Sequence, residues 1–154
     1  MKILKKVLVV LVALSVLLCF ASCTKKNETV LSKDPSLAKG LVKVDGNMVI
    51  ITVDSNYLDI TETTVLLDYM KALKVDGALD YTLSNDGMIT AINGQENPAD
   101  WSKCWMLYSN DAELSNEAWG FVTVDGVTYF SAVLGAETLP IKDGKIYVWE
   151  FKSF

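Results

Sequence analysis

The sequence predicts an α+β fold that is mostly β, with antiparallel strands in two packed sheets and one early amphipathic helix. Asp-Gly and Asn-Gly dipeptides accept positive φ and fit two-residue hairpin turns; they occur at 45–46, 86–87, 93–94, 125–126 and 143–144. Between them lie short β-branched and aromatic runs. The strands predicted from these runs are Met48–Val53, Met88–Ile92, Cys104–Ser109, Phe121–Val124, Val127–Leu134 and Lys145–Phe151.

The last predicted strand is apolar on both faces. Alternate residues of a strand fall on opposite faces. One face carries Tyr147, Trp149 and Phe151, and the other carries Ile146, Val148 and Glu150. We therefore expect this strand to be central in its sheet and covered on both sides, with Trp149 in the core, as is Trp105 of another predicted strand.

The segment Thr61–Leu73 has a helical rather than a strand pattern. Val65, Tyr69 and Leu73 recur at i, i+4 and i+8, which predicts an amphipathic helix. One of the threonines in 61–64 can cap its N-terminus, and Gly77 lies where the chain needs a left-handed exit.

The N-terminus has the layout of a secretory signal. Three lysines precede Val7–Phe20, an apolar run too short for a spanning helix of about 20 residues. The sequence Phe-Ala-Ser-Cys at 20–23 resembles the lipobox of bacterial lipoproteins, although Phe20 stands where Leu is usual. We predict a lipoprotein signal peptide at 1–22, acylation of Cys23 with palmitate-type chains, and a lipid anchor on the extracytoplasmic face of the cell membrane. Secretion with cleavage elsewhere and an uncleaved anchor are the alternatives.

The remaining chain divides into a tether and one domain. Residues 24–40 are polar and without periodicity, so that 23–40 is predicted to be a flexible lipidated tether. Residues 41–154 are enough for one domain with its own core.

Charge and composition exclude several function classes. Without the signal the chain has 11 Lys and 19 acidic residues, a net charge of −8, which excludes nucleic-acid binding. The chain has no His and no Arg, so that Ser–His–Asp and Cys–His catalysis and imidazole zinc sites are impossible. We predict that the protein is not an enzyme and has no catalytic residues, no cofactor and no metal.

Four motifs in order resemble the transcobalamin-like C-terminal domain, a domain-of-unknown-function family of exported bacterial proteins. The motifs are the helix start at 64–70, Gly-x-Ile-x-x-Ile-x-Gly at 87–94, Trp-x-x-Tyr-x-Asn at 105–110 and Asp-Gly-x-Ile at 143–146. Asp111 stands where the family has Gly, and Lys145 where it has an acid. The family resembles the β-rich domain of transcobalamin and intrinsic factor.

The resemblance implies a small-ligand binding domain, with a corrinoid or another cobalamin-like molecule as the ligand. In transcobalamin-type carriers a large helical domain completes the site, and 114 residues leave no room for one. The alternative is a cell-surface interaction module that binds another exported protein and no small molecule.

The candidate ligand-binding residues are Trp101, Trp119, Tyr108 and Asn110. Trp101 and Trp119 lie at loop–strand junctions, where an aromatic side chain can stack on a planar ligand; packing over the end of the sheet is the alternative.

Two further features have a structural and a functional interpretation. The oxygen-rich loop 109–117 could hold Ca²⁺ but matches no EF-hand spacing, so a solvated acidic loop is preferred. Cys104 is interpreted as a buried small hydrophobe rather than as a reactive thiol.

Overall fold

The computed structural model describes residues 30–153 and confirms the predicted fold class: mostly β, α+β, with two antiparallel sheets. The elements in order are a 3-10 helix Pro35–Leu41, β1 Val42–Asp45, β2 Met48–Thr52, α1 Leu66–Val75, β3 Tyr81–Leu83, β4 Ile89–Ile92, β5 Gln95–Glu96, β6 Lys103–Ser109, β7 Ser115–Val124, β8 Val127–Ala132 and β9 Ile146–Ser153. None of the helices in this range is long and apolar enough to cross a bilayer.

The strand β9 is central in the larger sheet, as its two apolar faces predict. The six strands lie in the order β1-β2-β9-β6-β8-β7, and the smaller sheet has the order β3-β4-β5. Trp149 of β9 is opposite Val49 of β2 on one side and Leu107 of β6 on the other. Tyr147 and Val148, on opposite faces of β9, are both fully buried.

The six-stranded sheet curves so that a side chain of one edge strand reaches the turn at the other edge. β1 and β7 are its edge strands, yet Lys43 Nζ of β1 lies 2.8 Å from Asp125 Oδ2 in the turn between β7 and β8. The concave face encloses a small group of buried side chains that we call the inner core. It consists of Ile50, Tyr108, Val122, Val124, Tyr129 and Val148.

The other face of the large sheet packs against α1, the small sheet and the long connections. This main core includes Ile51 and Tyr147 from the sheet and Leu66, Tyr69 and Leu73 from the helix. The Tyr69 ring meets Tyr57 edge-on at 5.3 Å between centroids. Its hydroxyl donates to the Thr52 carbonyl at 3.1 Å. A buried tyrosine is tolerated here because its polar end is hydrogen-bonded.

The helix begins at Leu66, so that the threonines at 61–64, one of which was predicted to cap it, all lie before the helix and none is its N-cap. Val65 precedes it without a side-chain cap, and Thr61 instead forms a local turn whose N–H donates to Thr64 Oγ1. The first helical N–H groups donate to backbone carbonyls of a distant segment: Leu66 to Leu139 at 2.9 Å and Leu67 to Ala136 at 2.8 Å. The exit is as predicted, with Gly77 at φ 70°.

The segment predicted as a flexible tether is folded from Val30 onward. Ala38 in the 3-10 helix is fully buried, and the Lys33 N–H donates to the Tyr57 carbonyl at 2.7 Å. Ser32 Oγ donates to Asp76 Oδ2 at 2.6 Å. Sparse apolar residues thus add to a core that the rest of the chain builds, although they could not form one alone. The predicted signal peptide, Cys23 and residues 24–29 lie outside the described range.

The hairpin turns predicted from the Asp-Gly and Asn-Gly dipeptides are confirmed at some positions and not at others. The pairs 93–94 and 125–126 have both residues at positive φ, as type I′ hairpin turns require. The pair 143–144 joins no hairpin: the Gly144 N–H donates to the Val53 carbonyl, and Asp143 accepts from the Ser55 N–H. β7 begins at Ser115, six residues before the predicted strand, and β1, β3 and β5 were not predicted.

Candidate functional site

A cleft of about 290 Å³ opens where β8 leaves β6. β6 pairs with β9 along its whole length, but with β8 only at Tyr108 and Ser109. β8 ends at Ala132 and the chain turns away, so that the rest of β6 lies at one wall of the cleft. The start of β4 lies at another wall.

The side chains that line the cleft are apolar except for that of Ser131, none of them is charged, and polar backbone groups also face the cleft. The lining consists of Gly87, Met88, Ile89, Trp105, Met106, Leu107, Ser131, Ala132, Val133, Leu134, Gly135, Ala136 and Trp149. Met88 and Leu134 are large apolar side chains that remain exposed. An apolar concavity with few polar groups is typical of small-molecule sites.

Trp149 supplies the distinctive polar group of this cleft. The side chain is only 4% exposed, and its indole Nε1 is buried without a hydrogen-bond partner among residues 30–153. A buried donor left unpaired costs about 1–3 kcal/mol of stability. Trp149 is one of the residues that line the cleft, and we infer that a ligand in the cleft can supply the missing acceptor for this nitrogen.

Trp105, the other indole of the cleft, is already satisfied. Its Nε1 donates to the Gln95 carbonyl at 2.8 Å, and its backbone N–H donates to Asn97 Oδ1 at 3.2 Å. Its ring packs on Phe151 with 5.3 Å between centroids. Trp105 therefore ties the small sheet to β6 and leaves Trp149 as the unpaired indole donor of the cleft.

The wall formed by residues 131–136 is held by the start of α1. The Ala136 carbonyl accepts from Leu67, and the Val133 N–H donates to the Leu114 carbonyl at 3.0 Å. Ala136 itself is buried. One side of the cleft is thereby fixed to the main core.

The rim of the cleft contains a negative charge beside a glycine. Gly87 has φ 81°, and the carboxylate of Glu137 lies directly against its α-carbon, where a Cβ would have no room. A side chain at position 87 would therefore be strained and would displace Glu137. The carboxylate gives the mouth of the cleft a negative potential.

The two tryptophans predicted as ligand contacts are exposed but do not line the cleft. Trp101 is 49% exposed at φ 55° in the turn before β6. Trp119 is 61% exposed within an irregularity of β7, where the register with β8 shifts between Asn116 and Phe121. Neither side chain packs over the sheet end as a buried group.

Tyr108 and Asn110, the other predicted contacts, also lie outside the cleft lining. Tyr108 is buried in the inner core, where burial raises its pKa and Lys152 Nζ donates to its hydroxyl at 3.2 Å. Asn110 Oδ1 accepts from the Ile146 N–H at 2.9 Å and so extends the contact between β6 and β9. Both contacts stabilise the fold.

The oxygen-rich loop 109–117 is not solvated along its whole length, because the buried Asp111 holds it to the fold. Asp111 is 2% exposed, accepts from the Glu113 N–H and lies 3.1 Å from Lys142 Nζ. Burial raises the pKa of this carboxyl, but the Lys142 ammonium and the Glu113 N–H outweigh it, so that the pKa is lowered. Within residues 30–153 no three acidic, Cys or His side chains come together as a metal site.

Cys104 is half-buried rather than buried. Its thiol lies 3.5 Å from Met106 Sδ, and burial raises its pKa. A raised pKa lowers the thiolate fraction, which argues against a reactive thiol.

A second depression of about 320 Å³ lies at the C-terminal end of α1. It is more open to solvent and is lined in part by Lys74 and Asp80, whose charged groups pair at 2.7 Å. Its charged groups already pair with each other, which makes it a weaker candidate than the cleft.

The sequence pattern predicts correctly that Trp149 is buried, but no sequence signal marks it as part of a site. The cleft exists because β8 diverges from β6, and the pairing partner of Trp149 is 42 positions earlier in the chain. Comparison of the chain with protein-family models, with curated proteins and with solved structures finds no match.

Proposed function

We propose that this chain is a membrane-tethered extracytoplasmic lipoprotein whose domain binds a small molecule in the cleft beside Trp149. The observation that carries the proposal is the buried, unpaired indole N–H in the wall of an apolar cleft. Native proteins pair nearly all buried polar groups, so that this exception requires an explanation, and we infer a ligand that supplies the partner.

The size of the cleft sets a limit on the ligand. Ligand pockets usually measure about 300–1,000 Å³, and the cleft, at about 290 Å³, lies at the lower end. A whole corrin macrocycle does not fit inside. If the ligand is a corrinoid, as the motif resemblance implies, it enters with one amide side arm while the ring stays outside.

A glycine of the cleft gives a direct test. Gly135 lines the cleft, has an ordinary φ and has open space where a Cβ would be. Gly135→Leu should therefore obstruct the cleft at little cost to folding. Gly40→Leu is the matched control, since Gly40 has the same free space but lies in the 3-10 helix.

The experiment uses the mature chain from residue 23 with Cys23→Ser, titrated with cobinamide and with small apolar compounds in ¹H–¹⁵N NMR spectra. We expect shifts at residues 131–136 and 87–89, lost in Gly135→Leu and kept in Gly40→Leu. The absence of any shift at millimolar ligand would refute binding in the cleft.

The anchor is tested separately. Labelling of cells with a palmitate analogue should mark the wild-type protein and not Cys23→Ala. An unlabelled wild-type protein would remove the lipoprotein part of the proposal and leave the cleft unaffected.

A second candidate function is an interaction module, and the edge strand β7 favours it. An edge strand has an unpaired side that another chain can extend. Trp119 and Phe121 on this strand are 61% and 59% exposed, and such aromatic residues are enriched in binding hot spots. Cross-linking in envelope extract should then give a discrete adduct that disappears in the double variant Trp119→Ala, Phe121→Ala.

A further inference from the structure

We propose that the cleft selects an uncharged ligand group: an apolar body with a neutral oxygen acceptor, such as a ketone, ester or amide carbonyl, that is bound by Trp149 Nε1. This inference rests on the proposed binding function and adds the chemical class of the ligand. It excludes carboxylates, phosphates and ammonium groups from the cleft.

The polar groups of the cleft determine the acceptor requirement. Trp105 Nε1 is occupied by the Gln95 carbonyl, whereas Trp149 Nε1 has no partner within the described residues. An indole N–H only donates. The ligand atom that meets it must therefore accept a hydrogen bond.

The charges around the cleft determine that the acceptor is neutral. No lysine lines the cleft, so that a buried carboxylate or phosphate would lose its hydration without gaining a counter-ion. Glu137 at the rim adds repulsion. An ammonium group is attracted by Glu137 at the rim, but inside the cleft it finds no carboxylate in the lining and would face the positive end of the indole N–H dipole.

The exposed side chains at the rim allow a ligand to enter the cleft. Nε1 of Trp149 is covered in this structure, so that a ligand reaches it only by displacing neighbouring atoms. Met88 and Leu134 are exposed at the cleft, and Met in particular is unbranched and adapts its shape at low cost. We expect these two side chains to move aside when an apolar group enters.

Three probes of nearly equal shape separate the contributions: acetophenone with a neutral carbonyl, α-methylstyrene with a methylene in its place, and benzoate with a charge. Each is titrated by NMR into the full mature chain carrying Cys23→Ser. Trp149→Phe removes the free N–H. Trp105→Phe is the matched control, because it also changes the cleft wall but removes a donor that is already used.

We expect benzoate not to bind, and we expect acetophenone to bind better relative to α-methylstyrene in the wild type than in Trp149→Phe. One neutral hydrogen bond corresponds to a change in this affinity ratio of roughly 2- to 12-fold, and Trp105→Phe should leave the ratio unchanged. In the wild type, acetophenone should also shift the Trp149 indole N–H resonance downfield and α-methylstyrene should not. That measurement remains available if Trp149→Phe does not fold.

The outcomes separate the two proposals. If the probes bind with the same ratio in wild type and Trp149→Phe and the indole resonance does not move, the acceptor assignment is wrong and binding in the cleft stands. Binding of benzoate equal to that of acetophenone overturns the exclusion of charge. If none of the probes shifts a cleft residue at millimolar concentration, both proposals fail.

Discussion

The two faces of the six-stranded sheet are covered in different ways. The main core contains 23 buried residues within the described range and is closed by a helix, a second sheet and the segment 30–41. The inner core contains six, all from the sheet itself, and is closed by the curl that brings the β7–β8 turn to β1.

The difference indicates where the molecule can accept a ligand without losing its fold. A core closed by separate elements has gaps between those elements, which we call seams. The cleft beside Trp149 is such a seam between β4, β6 and the chain after β8. A core closed by one curled sheet has its seam at the sheet edges. There the β7–β8 turn lies beside β1 and is joined to it by one exposed ion pair.

The largest expected effect comes from two adjacent isoleucines on opposite faces of β2. Ile51 is fully buried in the main core, and Ile50 is buried in the inner core. Truncation of a buried Ile costs about 2–5 kcal/mol, depending on how far the site can collapse. We expect about 4 kcal/mol for Ile51→Ala and about 2 kcal/mol for Ile50→Ala in urea unfolding, because the hairpin can close over the smaller cavity. Equal losses would contradict the difference in rigidity.

The buried ion pair of Asp111 and Lys142 should give the next largest effect. Asp111→Asn should cost about 2 kcal/mol at pH 7, as expected for a hydrogen-bonded charge whose partner is half-exposed. The folded-state pKa of Asp111 lies below its unfolded value of about 3.9, so that ionisation stabilises the fold above that pH. The difference between wild type and Asp111→Asn should therefore shrink as pH falls from about 5 and through the folded pKa.

This pH dependence is checked by urea unfolding of both proteins between pH 7 and 3. A constant difference over that range would show that the carboxylate charge contributes nothing and that the loss arises from packing alone.

Substitution of two glycines with almost the same φ allows the rim of the cleft to be compared with the β7–β8 hairpin. Gly87 and Gly126 have φ of 81° and 80°, and only Gly87 lies against another side chain, Glu137. Alanine in a left-handed conformation costs about 1–2 kcal/mol. We expect similar losses for Gly87→Ala and Gly126→Ala, because Glu137 is exposed and can move away.

Only Gly87→Ala should change probe binding in the cleft, since Glu137 is displaced from the rim. Thermal unfolding and the acetophenone titration measure the two effects. A change of binding in Gly126→Ala would mean that the two seams are coupled.

The smallest effect is expected for the exposed ion pair that closes the sheet. Lys43→Met or Asp125→Asn should lower the stability only slightly, and less in 1 M salt, because both groups are solvent-exposed. Asn is tolerated at the φ of 50° found at position 125. A fall in Tm as large as that of Ile50→Ala would show that this pair holds the curl, and thermal unfolding at low and high salt decides between the two.

The sequence predicts those parts of the fold that local pattern controls. Alternation in 146–151 correctly predicts a central strand, and the dipeptides 93–94 and 125–126 correctly predict tight hairpins. The predicted N-cap of the helix was wrong because Leu66 and Leu67 are capped by carbonyls at 136 and 139, about 70 residues away. No local rule finds such a cap.

The candidate site was less predictable than the fold. Trp101 and Trp119 are predicted from their junction positions and do lie exposed, but the cleft is elsewhere. Trp149 is predicted as core and is buried. What distinguishes it, the missing partner of its N–H, depends on the relative positions of strands far apart in sequence. Residue type alone cannot reveal an unmet hydrogen bond.

The docking of residues 30–41 bears on the proposed lipid anchor. Ser32 and Lys33 are hydrogen-bonded to Asp76 and Tyr57, so that the chain belongs to the domain from Val30 onward. If Cys23 carries the lipid as proposed, residues 24–29 are the only spacer, and six residues reach at most about 20 Å. That is less than the thickness of a bilayer core. The domain would then be held close to the membrane with a restricted orientation. Its cleft would meet ligands only in the thin layer of solvent next to the lipid headgroups, where apolar molecules concentrate.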